Sequence, residues 1–131
     1  MADKRQEFRY VGPEHQLPQV KGDGSSSLSP QNAITVIRLA WNEGRFYVGS
    51  HFKNRCNERG LDMLDVENLI RNGAVCGNPQ YCPINKNWKY RVTGLVDERH
   101  LEVVIALDPT VDYTDIPLAI LITAYEKKTG Q

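Results

Sequence analysis

What the chain lacks narrows the field before any motif is read. No apolar run approaches the roughly 20 residues that cross a bilayer as a helix. The opening residues, MADKRQEFRY, hold no apolar signal core, so a cytoplasmic location without a membrane partner is expected. There is no excess of charge: 16 Lys and Arg balance 16 Asp and Glu, which argues against a dedicated binder of long nucleic acid. Cysteines are few and odd in number. Cys56, Cys76 and Cys82 leave nineteen and five residues between neighbours, which fits neither a disulfide framework nor a common zinc spacing. Free thiols, buried or half-buried, are expected, with a small metal site at Cys76 and Cys82 as the lesser alternative. There is no P-loop, G-x-S-x-G, H-E-x-x-H or Rossmann fingerprint. The sequence therefore gives no support for nucleotide hydrolysis, serine hydrolysis, zinc proteolysis or dinucleotide redox chemistry, and no cofactor is implied.

What is present describes one domain. The 131 residues are 40% hydrophobic and 24% charged, the balance of a globular protein with a single core. Residues 1–28 read as a flexible tail, rich in Gly, Pro and Ser; only Phe8, Tyr10 and Val11 suggest a strand or turn pinned to the body. Residues 29–127 read as the folded domain. Ser29-Pro30 is a cap and first-turn pair, and Ile34, Ile37, Leu39 and Trp41 predict a helix over 30–43, stopped at Gly44. Phe46-Tyr47-Val48 reads as a brief extended link. Ser50 is the expected cap of a second helix, His51 to Arg59, ended by Gly60. Asp62 and Asp65 resemble a capping box for a third helix, flanked by the staple pair Leu61 and Val66 and closed by Asn72-Gly73.

After Gly73 the period becomes two. A first strand is expected from Ala74 to Tyr81. Trp88 to Leu95, Leu101 to Asp108 and Leu118 to Tyr125 then alternate as three more, with Asp97 to His100 as a tight link and Asp108 to Pro117 as a longer loop. The predicted class is α+β: two or three N-terminal helices packed on a four-stranded antiparallel sheet.

Charge is uneven along this frame. From Arg45 to Arg91 there are eight basic and four acidic residues; from Val92 onward there are seven acidic and three basic. On a helix, His51, Arg55 and Arg59 share one stripe while Phe52 and Cys56 turn to the core. The free N–H groups of the helix start favour an anion beside His51 and a neutral imidazole, which suits a general base. Lys89 and Arg91 share one face of their strand, and Tyr125 lies on the polar side of its own. Cations, an imidazole and a phenol are enough to cleave RNA without metal: a base takes the 2′-proton, an acid protonates the leaving oxygen, and cations hold the phosphate charge. On that reading His51 and Tyr125 are catalytic, and Arg55, Arg59, Lys89 and Arg91 bind phosphate. The same residues also suit plainer duties. Arg55 or Arg59 can pair with Glu58, Asp62 or Asp65, Lys89 and Arg91 can be the wet face of a sheet, and Tyr125 can be an edge aromatic.

The run SHFKNRCNERGLDMLDVENLIRNGAV, followed by KYRVTGLVDERHLEVVIAL and AILITAYE, resembles a bacterial and phage family of small uncharacterised domains close to the RelE and BrnT toxins, within the barnase, EndoU, colicin and RelE group. The resemblance covers Gln31 to Lys127. His51, Arg55, Glu58 and Arg59 match its helix motif, and Cys56 stands where Met is usual. The resemblance implies helices on a twisted antiparallel sheet, a metal-free endoribonuclease acting as a toxin on RNA, and a cognate antitoxin protein as partner. The near-neutral charge departs from the strongly basic RelE toxins and weakens the case for ribosome binding. The alternative is a non-catalytic protein-binding module on the same fold, using the sheet face or the Asp108–Pro117 loop.

Overall fold

The computed structural model describes residues 27–108 and 116–127. Of the tail expected over residues 1–28, residues 1–26, with Phe8, Tyr10 and Val11, lie outside them, as does most of the loop between the last two strands; Leu28 packs against the core and its N–H donates to Tyr90 Oη at 2.8 Å. Helix α1 (Pro30–Asn42) starts where Ser29 accepts a hydrogen bond from Asn32 N, with Pro30 at the first helical position. Its buried stripe is Ala33, Val36, Ile37 and Ala40, at helical spacing, while Ile34 and Trp41 pack at the margin. The two alanines let α1 lie close to the sheet.

Strand β1 (Phe46–Tyr47) corrects the expected link. It pairs in parallel with the last strand, so the sheet has five strands and is mixed rather than four-stranded and antiparallel. Two residues cannot display a period of two, and their partner lies at the far end of the chain, so no local signal marks them. Helix α2 (Ser50–Glu58) is capped by the backbone of Gly49, with no side-chain cap bond; Ser50 is already helical, which corrects its expected role. Helix α3 (Met63–Asn72) opens with the expected box: Asp65 N donates to Asp62 Oδ1 at 2.8 Å, and Asp62 N donates to Asp65 Oδ2 at 3.1 Å. Leu61 and Val66 are both buried beside it, as a staple requires.

Strands β2 (Ala74–Cys82), β3 (Asn87–Val96), β4 (Arg99–Asp108) and β5 (Leu118–Glu126) form the antiparallel part, and the spatial order is β1-β5-β4-β3-β2. The β3–β4 link is tighter than expected. Only Asp97 and Glu98 turn, both at positive φ (51° and 68°), the double left-handed geometry of a two-residue hairpin. Two register shifts matter later: one between Cys76 and Gln80 of β2, and one at Ile122 of β5. Tyr90, Val92 and Val96 of β3 and Leu101, Val103 and Ile105 of β4 face the helices and form one core with them. No helix among the described residues is long and apolar enough to cross a membrane.

Helix packing is fastened by a side chain that the sequence reading did not single out. Arg38 of α1 donates from Nε to Ile70 O and from Nη2 to Gly73 O, each at 2.8 Å, closing the C-terminus of α3. Arg38→Met keeps most of the aliphatic packing and leaves both carbonyls without this partner. Urea unfolding is expected to show a loss of about 2–3 kcal/mol, the scale of charge-assisted hydrogen bonds.

Candidate functional site on the open sheet face

Alternation sends the other half of the strand residues to the face away from the helices. Register arranges them in rows. Ala74, Thr93, Glu102 and Tyr125 form the first; Cys76, Arg91, Val104 and Thr123 the second; Gln80, Lys89, Ala106, Ile120 and Tyr47 the third. Neighbours within a row are within side-chain reach, and rows stand about 6.6–6.8 Å apart.

Glu102 is the centre of this face. It is only 3% exposed, although it belongs to the row of residues pointing away from the core. A carboxylate in such a place needs partners. Tyr125 Oη donates a hydrogen bond to its Oε2, and Lys127 Nζ lies 3.6 Å from its Oε1. Lys127 is held there by its own backbone, whose N–H donates to His100 O at 2.7 Å. Burial, and then the hydrogen bond and charge of Glu102, raise the Tyr125 phenol above its ordinary range. Arg91 and Arg59 pull the other way, because both guanidiniums stand near enough to favour the phenolate. The phenol therefore stays protonated at neutral pH, with a carboxylate behind it and two cations around it.

Each cation is placed by a local feature. Arg59 is the C-terminal cap residue of α2, and its Nη1 donates to Thr123 Oγ1 at 3.0 Å and to Ala124 O at 2.7 Å. It covers part of β5 that β1 is too short to pair. Arg91 lies across the β2 bulge. Gly77 there has φ +75°, and a β-carbon on it would overlap Arg91 Nη2. Cys76, exposed beside it, accepts a hydrogen bond from Thr93 Oγ1 at 3.2 Å.

Of the six site residues expected from the sequence, Tyr125, Arg59 and Arg91 come together, and Lys89 stands one row away on the same face. His51 and Arg55 are not joined to them by any described contact. His51 is exposed in the first turn of α2, about 12 Å along the axis from Arg59 at ~1.5 Å per residue. Arg55 is exposed and makes a loose ion pair with Glu58 at 3.9 Å. Among the described residues, no three His, Cys, Asp or Glu side chains are grouped as a metal set. Cys56 is the buried thiol, Cys82 is half-buried, and Cys76 is more open than expected. Glu102, Lys127 and Gly77 were missed as site residues. The sequence does carry a signal for Glu102: an acid within the run Leu101 to Leu107, whose other residues are Leu, Val, Ile and Ala.

Comparison with known families fits this division of the chain. Residues 48–126 match a family described as Domain of unknown function (DUF4258), and the chain belongs to that family. The match takes in α2, α3 and all of β2 to β5, and leaves α1 outside. No curated protein and no solved structure matches the chain.

The pairing of Glu102 with Tyr125 has a direct spectroscopic consequence. Glu102→Gln removes the negative charge behind the phenol, so the Tyr125 pKa is expected to fall toward the ordinary value of about 10. Ultraviolet titration of the substituted protein, with Tyr125→Phe to assign the band, reads the shift. An unchanged titration would mean that the carboxylate does not govern the phenol.

Proposed function

We propose that the chain is a metal-free endoribonuclease of the RelE/BrnT-like type, with its reaction centre on the open face of the sheet around Tyr125. The observation that carries this reading is the placement of Tyr125, hydrogen-bonded to buried Glu102 with Arg59 and Arg91 near enough to act on its phenol. Glu102 is too buried to meet a substrate itself. Tyr125 is the half-buried, more accessible member of the pair and can relay a proton. As the RNA 2′-oxygen attacks phosphorus, its proton passes to the phenol oxygen while the phenol gives its own proton to Glu102. The bond from phosphorus to the 5′-oxygen breaks, that oxygen takes a proton from water, and the hydroxide left is neutralised by the proton on Glu102, returned through Tyr125, which restores the carboxylate. The products are a 2′,3′-cyclic phosphate and a 5′-hydroxyl. Arg91 and Arg59 stabilise the charge that builds on the phosphate oxygens, and Lys89 meets the neighbouring phosphate. His51 and Arg55 stand outside this centre and are assigned no proton transfer. A toxin role, with a protein antidote that covers the same face, belongs to this reading.

The second reading is a non-catalytic protein-binding module on the same fold. It is favoured by Leu95, 71% exposed on the same face of β3 as Lys89 and Arg91.

Cleavage of a mixed-sequence RNA in EDTA separates the two. Tyr125→Phe and Arg91→Ala are each expected to lower the rate by roughly 100-fold or more, with His51→Ala within a few-fold of the unaltered protein. Full activity in the folded Tyr125→Phe protein would refute the relay. No cleavage by the unaltered protein would favour the binding module.

Gly77 supplies a finer test. Gly77→Ala is expected to cost about 1–2 kcal/mol for a side chain at positive φ and to raise KM by displacing Arg91. Gly44→Ala is the control, since Gly44 also sits at φ +74° but has open space around it. It is expected to lose comparable stability without a change in KM.

A further inference from the structure

Tyr47 is the one large aromatic of β1 that does not join the core. Its neighbour Phe46 stacks on Trp41 with ring centroids 4.1 Å apart, so the core side of this short strand is filled. Tyr47 points the other way and is 58% exposed. Its ring lies against Gly49, where a β-carbon would come within 3.2 Å of Cε2 and of Oη. One part of the ring is therefore held by backbone while the rest faces solvent. Register carries Tyr47 through Ile120 and Ala106 to Lys89 in a single row, on the face that bears Arg91 and Tyr125. The row has half-buried Lys89 near one end and exposed Tyr47 at the other, with buried Ala106 and half-buried Ile120 as the floor between them. Surfaces for single-stranded nucleic acid combine these parts, since every base offers a flat face and every nucleotide a phosphate.

We propose that Tyr47 is a stacking platform for an unpaired base of a single-stranded RNA bound across the open sheet face, at a nucleotide beyond the cleaved bond. This rests on the ribonuclease reading above. Tyr47 stands two rows from Tyr125, about 13 Å along the sheet at ~3.3 Å for each of the four residues from Glu102 to Ala106 of β4. A nucleotide reacting at Tyr125 cannot also lie on Tyr47, so the platform serves longer strands and adds nothing to a dinucleotide. A base already paired in a duplex has no free face to offer, so the site selects single strands.

The test is fluorescence anisotropy with a labelled ten-nucleotide RNA carrying 2′-O-methyl groups, which blocks cleavage, together with competition by a dinucleoside monophosphate. Tyr47→Ala is expected to weaken binding of the ten-nucleotide strand by roughly 5- to 150-fold, the range for loss of one base–aromatic stack. Tyr47→Phe is expected to bind as the unaltered protein does, and the dinucleoside monophosphate to compete equally against all three. If Tyr47→Ala binds the longer strand normally while Arg91→Ala does not, the platform is refuted and the ribonuclease reading stands. If the unaltered protein binds no RNA at low salt, the ribonuclease reading fails and the platform fails with it.

Discussion

A buried carboxylate on the side of the sheet away from the core sets the terms for the rest of that face. Glu102 is almost wholly removed from water, and an ionised group there persists only if its oxygens are partnered. Both partners come from β5 and the residue just beyond it: Tyr125 on one oxygen and Lys127 on the other. That arrangement depends on the β4–β5 register, which sets Glu102 opposite Tyr125. With a one-residue slip, Tyr125 would turn to the core and Glu102 would lose its partner. The carboxylate thus reads out the correct pairing of the sheet as well as tuning the phenol.

Arg59 joins the fold to the site in the same way. It lies at the end of α2, and its bonds to Thr123 and Ala124 fasten that helix to the margin of β5. Its charge is also felt at Tyr125. A residue with both duties is a poor probe of catalysis, because removing it opens the sheet margin as well as taking away a cation. Arg91 separates the two better. It is exposed, and its guanidinium fills the space that a β-carbon on Gly77 would occupy.

Much of this was legible in the sequence, and the failures have definite causes. Alternation in β3 to β5 gave the strands and put Lys89 and Arg91 on one face, because a period of two is local information. The Asp62–Asp65 box was legible for the same reason. The His51–Arg55–Arg59 stripe was correct as helix geometry, yet spacing on a helix does not say what the stripe faces. In the fold, of these three only Arg59 has a described bond to the sheet. Glu102 was passed over because an acid within an alternating strand reads as a solvated residue. Its burial comes from Tyr125 and Lys127, which are distant in sequence. The extended character of β1 was legible in Phe46-Tyr47-Val48, but its parallel pairing with β5 was not, and the backbone cap at Gly49 leaves no side-chain signal.

The most direct measurement is amide chemical-shift mapping of the protein with a single-stranded RNA carrying 2′-O-methyl groups. The account predicts that the largest shifts fall on Arg91, Thr93, Val104, Thr123 and Tyr125, the residues of the open face around Glu102. Shifts confined to α2 around His51 and Arg55, or to the helix-covered side, would contradict it.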